Sequence, residues 1–142
     1  DQPEDTRVKI LVMGLPGSGK TETARAIVAC LPGAKWINAD ALRAIADDWD
    51  FSRAGRIRQA QRIAEQALGA DLAVIDCVAA LPEQREIIAA DVIVWMNTIT
   101  WGRFSDTNAA FVPPTDPDYE ITTRDLSALL RGLEHGALCT TR

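Results

Sequence analysis

A chain of 142 residues, 47% hydrophobic and 25% charged, has the size and apolar content of one domain around one core, which excludes a disordered polyampholyte. Its formal net charge of −5 disfavours nucleic acid as a partner, since a polyanion would need a local basic patch working against the overall field. No run approaches the roughly 20 apolar residues of a membrane span, the acidic start Asp1–Thr6 has no signal-like pattern, and Cys30, Cys77 and Cys139 form no Cys-x-x-Cys pair, so a cytoplasmic chain with reduced cysteines and no membrane partner is expected.

Val8–Met13, apart from Lys9, is an aliphatic run that ends at glycines, the pattern of a strand buried on both faces of a parallel sheet. Helix-forming residues follow from Gly19 through Ala29 and stop at Leu31, Pro32 and Gly33. Trp36 and Ile37 predict a short second strand, with Asp40 as N-cap of a helix running to Asp47. Ser52 is placed to cap a long helix over Arg53–Leu68, closed by Gly69.

Leu72–Ile75 predicts the third strand, Pro82 the first turn of a helix reaching Ala90, and Val92–Met96 the fourth strand. Asn97–Asp118 is polar, holds Gly102 and three prolines, and shows little periodicity; it is the candidate lid. Tyr119–Thr122 is the last strand and Thr123–Leu133 the last helix. Such alternation predicts an α/β three-layer sandwich with a mostly parallel five-stranded sheet, in one domain over 7–135 with flexible ends at 1–6 and 136–142.

Gly14-Leu15-Pro16-Gly17-Ser18-Gly19-Lys20-Thr21 matches Gly-x-x-x-x-Gly-Lys-Ser/Thr, between a predicted strand and a predicted helix. Glycines let the main chain wrap with its N–H groups inward, where they and the helix N-terminus hold phosphate oxygens. Lys20 brings a charge to the β- and γ-phosphates, and the Thr21 hydroxyl suits Mg²⁺. ATP with Mg²⁺ is the expected ligand set, with Gly14, Pro16, Gly17, Ser18, Gly19, Lys20, Thr21 and Glu22 forming the nucleotide site in a P-loop kinase fold.

Downstream, Asp40-Ala41-Leu42-Arg43 and Phe51-Ser52 before a helix carrying Arg56 make the chain resemble the adenylylsulfate kinase family, patchily from about Val8 to Thr122. The resemblance implies transfer of the ATP γ-phosphate to the 3′-hydroxyl of adenosine 5′-phosphosulfate, an anionic small molecule, by a homodimer. It implies that Asp40 lies near the acceptor hydroxyl and Mg²⁺ as base or orienting group, that Arg43 and Arg56 hold the phosphosulfate, and that Phe51 stacks on adenine. Where the family has Asp-Arg followed by Asn, this chain has Gly55-Arg56 and then Gln59, and the stretch after the third strand keeps only Pro82 and Arg85.

Asp76 ends the third strand, where a carboxylate can hold Mg²⁺ through water or meet the substrate. Arg103 in the lid can fold over ATP and stabilise charge on the transferred group, with Asp106 and Asn108 as weaker lid candidates. Bland alternatives stand beside these: Asp40 as a helix cap, Arg43 and Arg56 as helix-face charges, Asp76 and Arg103 as turn and surface residues. Arg58 and Arg62 read as surface charges, Trp95 as core, Trp49 or Trp101 as flanking a nucleobase, and His135 as a helix-end residue. Two other functions fit the motif, a kinase of another hydroxyl (a nucleoside or a hydroxymethylated base in DNA) and a nucleotide-binding module without transfer.

Overall fold

The computed structural model describes residues 7–135; the expected flexible ends and Cys139 lie outside them. Five strands, β1 (Val8–Met13), β2 (Lys35–Asn38), β3 (Leu72–Asp76), β4 (Val92–Met96) and β5 (Tyr119–Ile121), form one sheet in the order β2-β3-β1-β4-β5. Every pairing is parallel, so the mostly parallel expectation becomes wholly parallel. Six helices connect or follow them: α1 (Lys20–Cys30), α2 (Ala39–Ala46), α3 (Arg53–Ala67), α4 (Pro82–Ile88), α5 (Ser105–Ala110) and α6 (Ser127–His135).

Strand alternation divides the core into two layers. Leu11 and Met13 point to one face with Ile37, Ile63, Ile75 and Ile88, under α3 and α4, and the partly buried Trp95 packs there. Ile10 and Val12 point to the other with Ile27, Val74, Val94, Leu129 and Leu133, under α1 and α6. β1 is central and fully buried from Ile10 to Met13, which is why that stretch is continuously apolar rather than alternating. Among the described residues no helix is long and apolar enough to cross a membrane.

Several boundaries differ from the sequence reading. Asp40 is not the N-cap of α2: Asn38 is, its Oδ1 accepting from the Ala41 amide at 2.9 Å. The last helix starts at Ser127 rather than Thr123, because Asp125 Oδ1 accepts from the Ser127 amide at 3.0 Å and fixes the first turn there. The stretch expected to be a lid without periodicity contains α5, and Asn108 ties that segment to itself by accepting from the Gly102 amide and donating to the Gly102 carbonyl, both at 2.8 Å.

Candidate active site

The carboxyl ends of the parallel strands open onto a cavity of about 520 Å³, the edge at which such sheets gather ligands. β1 delivers the glycine loop to one side of it. Gly14 sits there with φ 153°, and a Cβ on it would lie 2.7 Å from the Met96 carbonyl oxygen and 2.7 Å from Ser18 Oγ, so only glycine lets the loop close against β4. Gly19, at φ 100°, precedes α1, and no side chain caps that helix. Its first amides therefore present the positive end of an 11-residue helix to the cavity mouth.

Ser18 is fully buried and its Oγ has no hydrogen-bond partner among the described residues. Thr98 Oγ1 donates to the Ser18 carbonyl at 2.7 Å, pinning the segment after β4 to the loop. Lys20 Nζ folds back to donate to the Leu15 carbonyl at 3.2 Å. Burial pulls its pKa below the usual lysine range, and the charges of Asp76 and Asp40 push it back up. An uncapped helix end, a buried unpartnered hydroxyl and a desolvated ammonium together fit a polyphosphate.

Asp76, at the end of β3 and 3% exposed, is paired in register with Val12 and Asn38. Its Oδ2 accepts from Thr21 Oγ1 at 2.7 Å and from Asn38 Nδ2 at 2.9 Å. One hydroxyl beside one carboxylate is a donor set suited to a hard ion that keeps phosphate and water as its other ligands. Among the described residues no group of three or more His, Cys, Asp and Glu side chains forms a metal cage. Asn38 was not singled out from the sequence, where it reads as the last residue of a short strand; it both caps α2 and holds Asp76.

The opposite lobe is built by α2, α3 and the turn between them. Asp40 is exposed in the first turn of α2 and lines the cavity; Arg43 lies on the same helical face, three residues on. Arg43 is 4% exposed and Arg56 5%. Arg43 Nη1 donates to the carbonyls of Asp48 (2.8 Å) and Asp50 (3.2 Å). Arg56 Nε donates to the Phe51 carbonyl at 2.8 Å and its Nη2 to Thr107 Oγ1 at 3.2 Å. Both guanidinium groups face the Phe51 ring, at 4.2 Å and 5.7 Å from its centroid. Neither makes an ion pair among the described residues, so two nearly buried cations have only carbonyls, a hydroxyl and an aromatic ring for partners.

The other predicted residues are placed as follows. Pro16, Gly17, Phe51, Gln59 and Arg103 line the cavity, Arg103 being exposed with its guanidinium against Phe104. The Gln59 amide is engaged within the protein, donating to the Ala39 carbonyl at 2.7 Å and accepting from Arg62 at 2.8 Å. Glu22 does not line the cavity; it accepts from Arg124 Nη1 at 3.0 Å, while Arg124 Nη2 donates to the Gly17 carbonyl at 3.1 Å. Arg124 thus buttresses the glycine loop from outside, a role its position after β5 gave no sign of. Trp49 lines the cavity, Trp101 is 68% exposed and does not, and Arg85 is engaged with the carbonyls of Ala79, Ala80 and Val112. Cys77 also lines the cavity, where burial pushes its thiol up to about 11.

No family model and no curated protein sequence matches the chain. Solved structures do match in shape. The protein APE1195 superposes with a TM-score of 0.76 at 17% identity, over 93% of this chain and 95% of that one. The APS kinase CysC of Mycobacterium tuberculosis, solved in complex with AMPPNP and APS, gives 0.69 at 18% identity over 90% and 95%. A gluconokinase from Sinorhizobium meliloti gives 0.61 at 19% over 89% of each chain. The fold is that of the P-loop kinases.

Proposed function

We propose that the protein is a P-loop phosphotransferase that moves the γ-phosphate of ATP to a hydroxyl of an anionic small molecule, adenylylsulfate being the acceptor that fits the second lobe best. The observation that carries this reading is the pair Arg43 and Arg56, nearly buried, without a carboxylate partner and flanking the same aromatic ring beside the phosphate loop. Desolvating a cation costs free energy that carbonyl dipoles offset only in part. An anion entering between two forked guanidinium groups supplies the rest, and Phe51, 42% exposed, offers a face for a planar ring.

In this reading the loop amides and Lys20 hold the triphosphate, Lys20 leaving the Leu15 carbonyl to do so. Thr21 and Asp76 are the residues that fit Mg²⁺, which when bound supplies neutralisation of phosphate charge. Asp40 orients the acceptor hydroxyl and takes its proton as the new oxygen–phosphorus bond forms and the bond from the γ-phosphorus to the bridging oxygen of ADP breaks. Arg103 meets the charge spread over the phosphoryl oxygens. The 97–118 segment, carrying Arg103 and Phe104 over the cavity, excludes water so that transfer outruns hydrolysis.

Coupled ADP release tests this, with Mg-ATP and separately adenylylsulfate, gluconate, a nucleoside and single-stranded DNA, beside Lys20→Ala. The expected result is release that depends on adenylylsulfate and is lost in Lys20→Ala. Release with another acceptor alone replaces the acceptor and leaves the phosphotransferase standing; ATP binding with no acceptor-dependent release refutes transfer.

A further inference from the structure

The turn between α2 and α3 pairs its charges in an unexpected way. Two aspartates, Asp48 and Asp50, are held by three arginines on two helices, Arg43 on α2 and Arg58 and Arg62 on α3, and buried arginines have most need of a carboxylate. Yet Asp48 accepts from Arg58 at 3.1 and 3.3 Å and from Arg62, and Asp50 accepts from Arg58 at 2.9 Å. The side chains of Arg58 and Arg62 are 47% and 25% exposed, whereas the buried Arg43 holds the main-chain carbonyls of the same two aspartates. The acids are given to the wetter arginines and withheld from the drier ones.

Local geometry enforces this. The Asp50 amide donates to Asp48 Oδ1 at 3.1 Å and the Ser52 amide to Asp50 Oδ1 at 2.9 Å, which directs both carboxylates along the turn toward α3. The intervening residues, Trp49 and Phe51, line the cavity, whereas Asp48 and Asp50 do not. Ala in place of Gly55 would put its Cβ 2.6 Å from the Asp50 carboxyl carbon, so Asp50 packs directly against the first turn of α3.

We propose that Arg58 and Arg62 are positioning residues for anion recognition: by engaging Asp48 and Asp50 in hydrogen bonds they leave Arg43 and Arg56, which line the cavity, with no carboxylate in contact. The inference rests on the reading of that lobe as an acceptor site and adds the residues that set its charge. Neither Arg58 nor Arg62 lines the cavity, so each acts through the aspartates it holds.

The test is calorimetric titration of adenylylsulfate into protein saturated with Mg²⁺ and a non-hydrolysable ATP analogue, comparing wild type, Arg58→Gln, Asp50→Asn and the double variant. Arg58→Gln frees the Asp50 carboxylate and is expected to weaken adenylylsulfate about tenfold, the scale of one uncompensated charge near the site at a protein's effective dielectric, with nucleotide affinity unchanged. The double variant, which also removes the freed charge, is expected to regain affinity to within about twofold of wild type, a rescue that loss of loop geometry would not give. Asp50→Asn alone keeps the Ser52 contact and is expected to bind as well as wild type or better. Unchanged affinity in Arg58→Gln, a double variant as weak as Arg58→Gln, or weaker binding in Asp50→Asn each overturns the proposal alone; no heat with wild type overturns it together with the adenylylsulfate reading.

Discussion

Gly55→Ala sets two effects of opposite sign against each other. Gly55 lies in the first turn of α3, where Ser52 Oγ accepts from its amide at 3.3 Å, and its replacement by alanine in a helix is ordinarily stabilising by up to about 1 kcal/mol. Here the added Cβ would stand 2.0 Å from the Asp50 carbonyl oxygen and 2.7 Å from the Asp50 carbonyl carbon, against a comfortable separation of about 3.5 Å. Main chain rather than a flexible side chain is in the way, so the turn must retreat by about 1.5 Å, and forced overpacking of this kind costs about 1–3 kcal/mol. Sterics win, leaving a net loss of about 1–2 kcal/mol. For 142 residues the unfolding entropy is about 0.3 kcal/mol/K, so Tm should fall by about 3–7 °C. Because the displaced turn carries the carbonyls that hold Arg43 and the Phe51 ring, acceptor KM should rise several-fold while ATP affinity holds. Calorimetric Tm and steady-state kinetics on one preparation decide the matter; a raised Tm, as propensity alone requires, refutes the reasoning.

Two further outcomes follow from the geometry. Asp40→Asn should lower kcat by about a hundredfold with ATP affinity unchanged; wild-type turnover removes Asp40 from the proton path. Arg58 and Arg62 hold the Asp48 carboxyl well below the usual carboxylate range, so its contribution to stability is fully present above the unfolded pKa and is lost as pH falls below about 4 toward the folded value. Tm followed from neutral to acid pH should therefore drop less steeply in Asp48→Asn than in wild type, and identical slopes would show that the pair contributes nothing.

The glycine loop and the alternation of strands and helices along the chain were legible because each depends on short-range pattern: a glycine spacing between an apolar run and a helix, and repeated buried strands between helices. Ser52 as the cap of α3 was legible for the same reason. Asn38 and Asp40 were not separable, since both are good caps near the end of β2 and only the path of the chain decides which side chain reaches the Ala41 amide. Arg58 is the exposed charge its helical spacing suggested and Arg62 is partly exposed, but that spacing reveals a shared face and not the aspartates, Asp48 and Asp50, that stand opposite it. Arg124 lies 107 residues from its Gly17 partner, a contact made by the order of strands in the sheet and invisible to local pattern. The start of α6 moved for a smaller reason: Thr123, Asp125 and Ser127 are all capping types, and the Asp125 bonds to Ser127 selected among them.

A nucleotide-binding module needs only the first lobe: a glycine loop, an ammonium and a hydroxyl beside a carboxylate. The second lobe is superfluous to that task and costly to build. It buries two guanidinium groups without a carboxylate partner, in a chain whose net charge of −5 offers acids in surplus, and it commits two of those acids to arginines that solvent already serves. Simple satisfaction of charge would reverse that assignment. On the proposed reading the second lobe takes an anion, and Asp40, which like Asp106 is a cavity-lining carboxylate without a hydrogen bond or ion pair among the described residues, is the candidate base. Two anion-binding ends with a carboxylate beside them are what the proposed transfer of a phosphoryl group from one bound molecule to another would require.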